Sequence, residues 1–198
     1  MQQMPPRNPR PHKSRQPNNY AFIDSQNLNL GVQKIGWKMD WRRFRQWLAD
    51  EYGVTHAYMF IGYMAENESL YELMHEHGYL VVLKPTLEVK PRPDEDGGKD
   101  GEEQKPIVKG NIDADLVLYA MKEYSNYDKA VIVSGDGDFF GLVEHLADQN
   151  KLLKLLTPNQ RYSTLLKDFG PYIEGLDQHR SELAYHDRRF ARKPKQTS

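Results

Sequence analysis

Apolar and polar positions along this chain follow two periods in alternation. "YAFID", Tyr20 to Asp24, is a short apolar run that ends in a carboxylate. In "MDWRRFRQWLADEYG", Trp41, Phe44, Leu48 and Tyr52 recur at the spacing of one helical face, with Asp40 as N-cap and Gly53 as the stop. "VTHAYMFIGYM" is rich in aromatic and β-branched residues and predicts a strand. "ENESLYELMHEHGY" predicts a helix with Leu70, Leu73, Met74 and His77 on one face, closed by Gly78. "YLVVLKP" predicts a third strand, halted by Pro85. After an interruption, "NIDADLVLYAMKEY" predicts a helix whose face carries Asp113, Val117, Ala120 and Tyr124. "KAVIVSGD" is the fourth strand, "DFFGLVEHLADQN" a helix, "KLLKLLTP" the fifth strand and "STLLKDFG" a last short helix.

Strand and helix alternate about five times. That order implies right-handed crossovers and a mostly parallel sheet of about five strands between two layers of helices, an α/β three-layer sandwich. Ligands of such sheets sit at the carboxyl ends of the strands, where the strand order reverses. Asp24 ends the first strand, and Asp136 and Asp138 follow the fourth. If those strands are neighbours, the carboxylates meet at one rim, within reach of Asp113 at the start of the preceding helix.

The interruption, Thr86 to Lys109, holds "KPRPDEDGGKDGEEQKP" and reads as a solvated, mobile charged loop over 86–108. Residues 1–19 carry Arg7, Arg10, Lys13 and Arg15 without any acid among Pro, Asn and Gln, which predicts a disordered basic tail. The expected domain is therefore 20–176, followed by a polar basic extension over 177–198. Formal charge over the 198 residues is -1, so bulk charge declares no partner. No stretch resembles a signal peptide or a membrane span, and no membrane partner is expected. Cysteine is absent, which excludes disulfides, thiolate metal sites and cysteine nucleophiles. A soluble cytoplasmic protein is the expected setting, with homo-oligomerisation left open.

Carboxylates without cysteine or a histidine cluster suit hard divalent cations, Mg²⁺ or Mn²⁺. Such ions clamp phosphate oxygens and activate water. Asn27 and Ser134 can orient a water, a carboxylate or a phosphate, and Lys109 can meet a phosphate. "GDGDFFG" departs from the dinucleotide fingerprint, no phosphate-binding G-x-x-x-x-G-K-[ST] loop occurs, and the spaced ligands of a calcium loop are missing.

"FIDSQNLN", "KGNIDADL" and "VSGDGDFFGLVEHL", in this order, resemble the NYN domain family, in particular its LabA/DUF88 branch within the PIN-like nuclease superfamily. The resemblance spans Tyr20 to Glu174. It implies a Rossmann-like (PIN-like) sheet and a metal-dependent ribonuclease acting on RNA, with Asp24, Asp113, Asp136 and Asp138 as catalytic and metal-ligating acids. Asn27, Lys109 and Ser134 would support substrate. The charged loop before Lys109 and the basic termini lie outside the common pattern.

Each acid has a plainer reading. Asp24 can cap a helix or a turn, Asp138 can be the N-cap of a helix starting at Phe139, and Asp113 and Asp115 can sit in a first helical turn favoured by its dipole. The histidines read as surface or packing residues. The basic ends offer salt-sensitive contacts to phosphates, and Phe139 and Phe140 offer rings on which bases of a single strand can stack. Two other functions remain open: a non-catalytic RNA- or protein-binding regulatory module on the same fold, and a phosphatase or nucleotidase using the same metals.

Overall fold

A computed structural model describes residues 16–85, 87–89, 107–109 and 112–186, with side chains at 16–84 and 112–186. Residues 1–15 of the predicted basic tail, the centre of the charged loop and the last twelve residues lie outside these, whereas Asn19, assigned to the tail, is the buried first residue of β1. The elements are β1 (Asn19–Asp24), α1 (Ser25–Gln33), α2 (Trp41–Tyr52), β2 (Val54–Tyr63), α3 (Glu68–Glu76), β3 (Leu80–Pro85), β4 (Leu87–Val89), β5 (Ile107–Lys109), α4 (Ile112–Lys122), β6 (Ala130–Val133), α5 (Phe140–Asp148), β7 (Leu152–Thr157), β8 (Ile173–Gly175) and α6 (Arg180–Leu183). Six strands form one sheet in the order β3-β2-β1-β6-β7-β8, and every pairing in it is parallel.

A parallel sheet covered on both faces must be apolar at successive positions. All six residues of β1 and all four of β6 are buried. Alternation then assigns them to layers. Ala21, Ile23, Val131 and Val133 pack with α1, α2 and α3, while Tyr20, Phe22, Ala130 and Ile132 pack with α4 and α5. Helix α2 ends where the sequence predicts. The Asp40 side chain accepts from the Arg43 N–H at 3.1 Å, and Gly53 takes the left-handed conformation (φ 61°).

The expected parallel sheet of about five strands stands, with β8 added as a three-residue edge strand pinned by Lys154 and His179, each 2.9 Å from Glu174. Several expectations are corrected. Packing continues past residue 176: Leu183 is fully buried and Ala184 bridges Met39. The ends of the charged loop pair as an antiparallel β4–β5 ladder, Leu87 opposite Lys109. On α3 the buried residues are Tyr71 and Met74, whereas Leu70 and Leu73 are 39% and 42% exposed. The Tyr71 hydroxyl accepts from the Met64 N–H at 2.9 Å, which holds that face inward. On α4 the buried stripe is Ile112, Leu116 and Ala120, so Asp113 flanks the stripe rather than belonging to it.

Helix α1 contains a glycine that its propensity alone would not explain. A methyl at Gly31 would land on the Pro158 ring in the loop after β7. In an open helix Gly→Ala gains about 1 kcal/mol; here Gly31→Ala is expected to lose about 1–3 kcal/mol through overpacking. A urea melt checks the sign, and a gain would show that the loop yields freely.

Candidate functional site

Strand order reverses between β1 and β6: one runs outward through β2 to β3, the other through β7 to β8. Because side chains alternate, Asp24 continues the row of Tyr20 and Phe22, and Ser134 that of Ala130 and Ile132. Both rows face the α4–α5 layer. The two side chains meet, with the Ser134 hydroxyl donating to Asp24 Oδ2 at 3.1 Å. Asp24 Oδ1 accepts from the Asn27 N–H at 3.0 Å and caps α1. Asn27 Oδ1 accepts from the Gly135 N–H at 2.9 Å, and Ser134 Oγ from the Asp136 N–H at 3.1 Å. Asp136 Oδ1 accepts from the Asp138 N–H at 3.1 Å. Five hydrogen bonds thus stitch the rims of two strands into one unit.

The glycines beside these acids admit a neighbour. The Ser163 N–H donates to the Gly135 carbonyl at 2.9 Å, and a Cβ on Gly137 would collide with Ser163 Oγ. The loop after β7 therefore lies against the acid turn.

Asp24 is 6% exposed. Burial pushes its carboxyl above the usual range, the Asn27 and Ser134 hydrogen bonds pull it back, and the charges of Asp113 and Asp136 raise it further. Asp113 is also raised, by burial first, then by Asp136 and Asp138, with Lys84 acting the other way. The acids from three segments therefore sense one another at one rim. Lys84, at the end of β3, also forms a 2.9 Å ion pair with Asp115, so Asp115 does more than complement a helix dipole.

The signs give a test. The folded state holds protons on Asp24 and Asp113 to higher pH than the unfolded chain does. From the ordinary value of 3.8 up through the raised values, these two groups make stability fall as pH rises. Asp113→Asn is expected to melt at or above the wild-type temperature near neutral pH, with the difference vanishing below about pH 4. A markedly earlier melt at neutral pH would make Asp113 a structural residue. Asp24→Asn differs, because it also disturbs the bond from Ser134.

The structure brings Asp24, Asn27, Ser134 and Asp136 into direct contact and puts Asp113 and Asp138 within electrostatic reach. Asp138 is exposed, and the cap assigned to it belongs to Asp136. Lys109 lies in β5, and its side chain is outside those described. Phe139 is 1% exposed, within the core, and Phe140 packs on Phe169 (ring centroids 5.6 Å apart), so neither ring stands ready for a base. Lys84 and the loop Pro158–Ser163 were missed by sequence reading. The strand-end rule applied to "LKP" and "LTPNQRYS" contains the signal for both.

Among the described residues, no three acidic or histidine side chains stand close enough to hold one ion between them. The donor set nevertheless fits a hard cation. It is all oxygen, its members repel one another, and Mg²⁺ commonly takes only one or two carboxylates beside waters and phosphates.

The NYN domain model matches residues 20–172, most of the chain. The chain belongs to the NYN domain family. This NYN chain is 30% identical over 129 residues to the Low amplitude and bright protein LabA of Synechococcus elongatus, with 63% of the chain and 65% of that protein covered. The chain thus spans just under two thirds of the length of that LabA protein. The fold matches the crystal structure of a protein of unknown function from Vibrio parahaemolyticus. The TM-score is 0.60 at 20% identity, covering 87% of this chain and 99% of that one. NYN domains fall among the PIN-like proteins, which are typically nucleases. No described helix is long and apolar enough to cross a membrane.

Proposed function

We propose that the chain is a ribonuclease, hydrolysing phosphodiester bonds of single-stranded RNA with Mg²⁺ or Mn²⁺ at the Asp24 rim. The observation that carries this is the meeting of acids from three segments at the switch point, two of them with raised carboxyls. Of Asp24, Asp113, Asp136 and Asp138, one or two would hold the ion directly and the others through water. A bound ion supplies charge for the phosphate oxygens and lowers the pKa of a coordinated water.

The chain's own residues prepare that site. Asp24 is held at both oxygens, by the Asn27 N–H and the Ser134 hydroxyl, so it needs little reorganisation. Asp136 is fixed through Asp138, and Asn27 ties the helix start to Gly135. Binding a cation must displace any proton that the raised carboxyls retain, so affinity should rise with pH. Lys109 and the basic ends, Arg7 to Arg15 and Arg188 to Lys195, would add salt-sensitive contacts to a polymer rather than a small phosphate ester.

A second reading, a regulatory module that binds RNA or protein without cutting, draws on the lack of a ready three-ligand cage among the described residues. Melting with added Mn²⁺ separates the two. The ribonuclease reading expects the ion to raise the melting temperature of wild type by several degrees, an effect of about 2.7 kcal/mol at a hundredfold excess over Kd. Asp113→Asn and Asp136→Asn should lose most of that shift. No shift in wild type would leave the regulatory module.

A further inference from the structure

A groove of about 510 Å³ opens at the same carboxyl-end rim of the sheet, on the α1–α3 side. Ser25 and Gln26, which follow Asp24, form one side, and Ile112, which precedes Asp113, closes another. Met59 and Met74 make its floor, each 1% exposed. Trp41 and Ile61 form walls, and Met64 and Leu70 form a lip that is 38% and 39% exposed. Leu70 thus lines this groove instead of the core position its sequence spacing predicts.

The lining decides what can enter. No lining residue is charged, so the groove suits a neutral body and not a phosphate. Three amides, Gln26, Asn29 and Asn67, stand among the apolar surfaces. Asn29 Oδ1 already accepts from Gln33 Nε2 at 3.0 Å, which leaves its N–H donors to offer. A mostly apolar pocket with a few amides and an aromatic wall is what an unstacked nucleobase requires: flat faces to cover and edges to hydrogen-bond.

We infer that this groove is a base subsite that seats the nucleobase next to the phosphodiester held at the acids. The inference rests on the ribonuclease reading of those acids. Continuity argues for a base over other apolar occupants, because the backbone that carries Asp24 runs straight into the groove at Ser25 and Gln26. A strand whose phosphate lies at the carboxylates has an adjacent base within reach. The protein would then choose where it cuts by the nucleotide that fits.

The test uses full-length Asp136→Asn protein, so that the strand stays intact, and labelled single-stranded oligoribonucleotides. The strands are identical save for one abasic ribose, moved one position at a time. Binding by fluorescence anisotropy should weaken about tenfold at one position, the order expected when one stacked base is lost. Met64→Ala and Asn67→Ala, added singly to that protein, should bind the intact strand about tenfold more weakly and lose the difference between intact and abasic strands. Leu70→Gln gives a second probe of the lip, and a melt of each variant verifies folding. Equal binding of all abasic strands, or variants that keep the full discrimination, would overturn the subsite. Cleavage by wild type without base dependence removes the subsite and keeps the ribonuclease. Base-dependent binding without cleavage does the reverse. Absence of RNA binding removes both.

Discussion

Asp136→Asn is expected to lower RNA cleavage by about 10²–10³-fold, the scale on which losing one preorganised electrostatic contact acts, while the protein stays folded. The side chain is half-buried at the rim, and among the described residues it serves the fold by accepting from the Asp138 N–H at 3.1 Å. An asparagine Oδ1 can still accept that bond, so the turn before α5 survives. What goes is a negative charge that raises both Asp24 and Asp113. Stability should therefore hold or rise as activity falls. A parallel loss of both, followed by melting and gel-based cleavage, would show that Asp136 acts only as a cap.

Phe22→Ala should carry the largest stability loss, about 3–5 kcal/mol, as large-to-small changes at fully buried aromatics do. Phe22 is fully buried in β1, two residues before Asp24. Its ring lies nearly parallel to Tyr58 at 5.5 Å and edge-on to Tyr127 at 5.7 Å. The cavity would open beneath the strand that carries the central acid. Against a typical total of about 5–15 kcal/mol, such a change brings the domain close to unfolding at physiological temperature. Denaturant titration measures it; a loss below about 1 kcal/mol would mean that the α4 layer collapses freely into the gap.

The strands that position the site were legible because burial on both faces leaves an unmistakable apolar run, as in "YAFI" and "AVIV". Helix α2 was legible through its ends, Asp40 and Gly53, which are local chemistry. Helix faces were harder. Leu70 and Leu73 satisfy helical spacing as well as Tyr71 and Met74 do, and the choice between them is made by tertiary contacts such as the bond of Tyr71 to Met64. The same holds for α4, where Ile112 leads the buried stripe and leaves Asp113 beside it. Strand β8 has three residues and no period to read. Among the site residues, Asp24, Ser134 and Asn27 were visible from the strand-end rule, but their mutual hydrogen bonds depend on parallel pairing in register, Ile23 beside Val133. Lys84 was passed over because the strand end in "VVLKP" is legible, whereas its distance from the acids depends on β3 lying two strands away from β1.

Incubation of purified wild-type protein with end-labelled single-stranded RNA, in Mn²⁺ or in EDTA, tests the central claim most directly. The account predicts shorter fragments in Mn²⁺, intact RNA in EDTA, and intact RNA with Asp136→Asn in either buffer. RNA that stays intact in Mn²⁺ beside a folded wild-type protein, or fragments that form equally with Asp136→Asn, would contradict it.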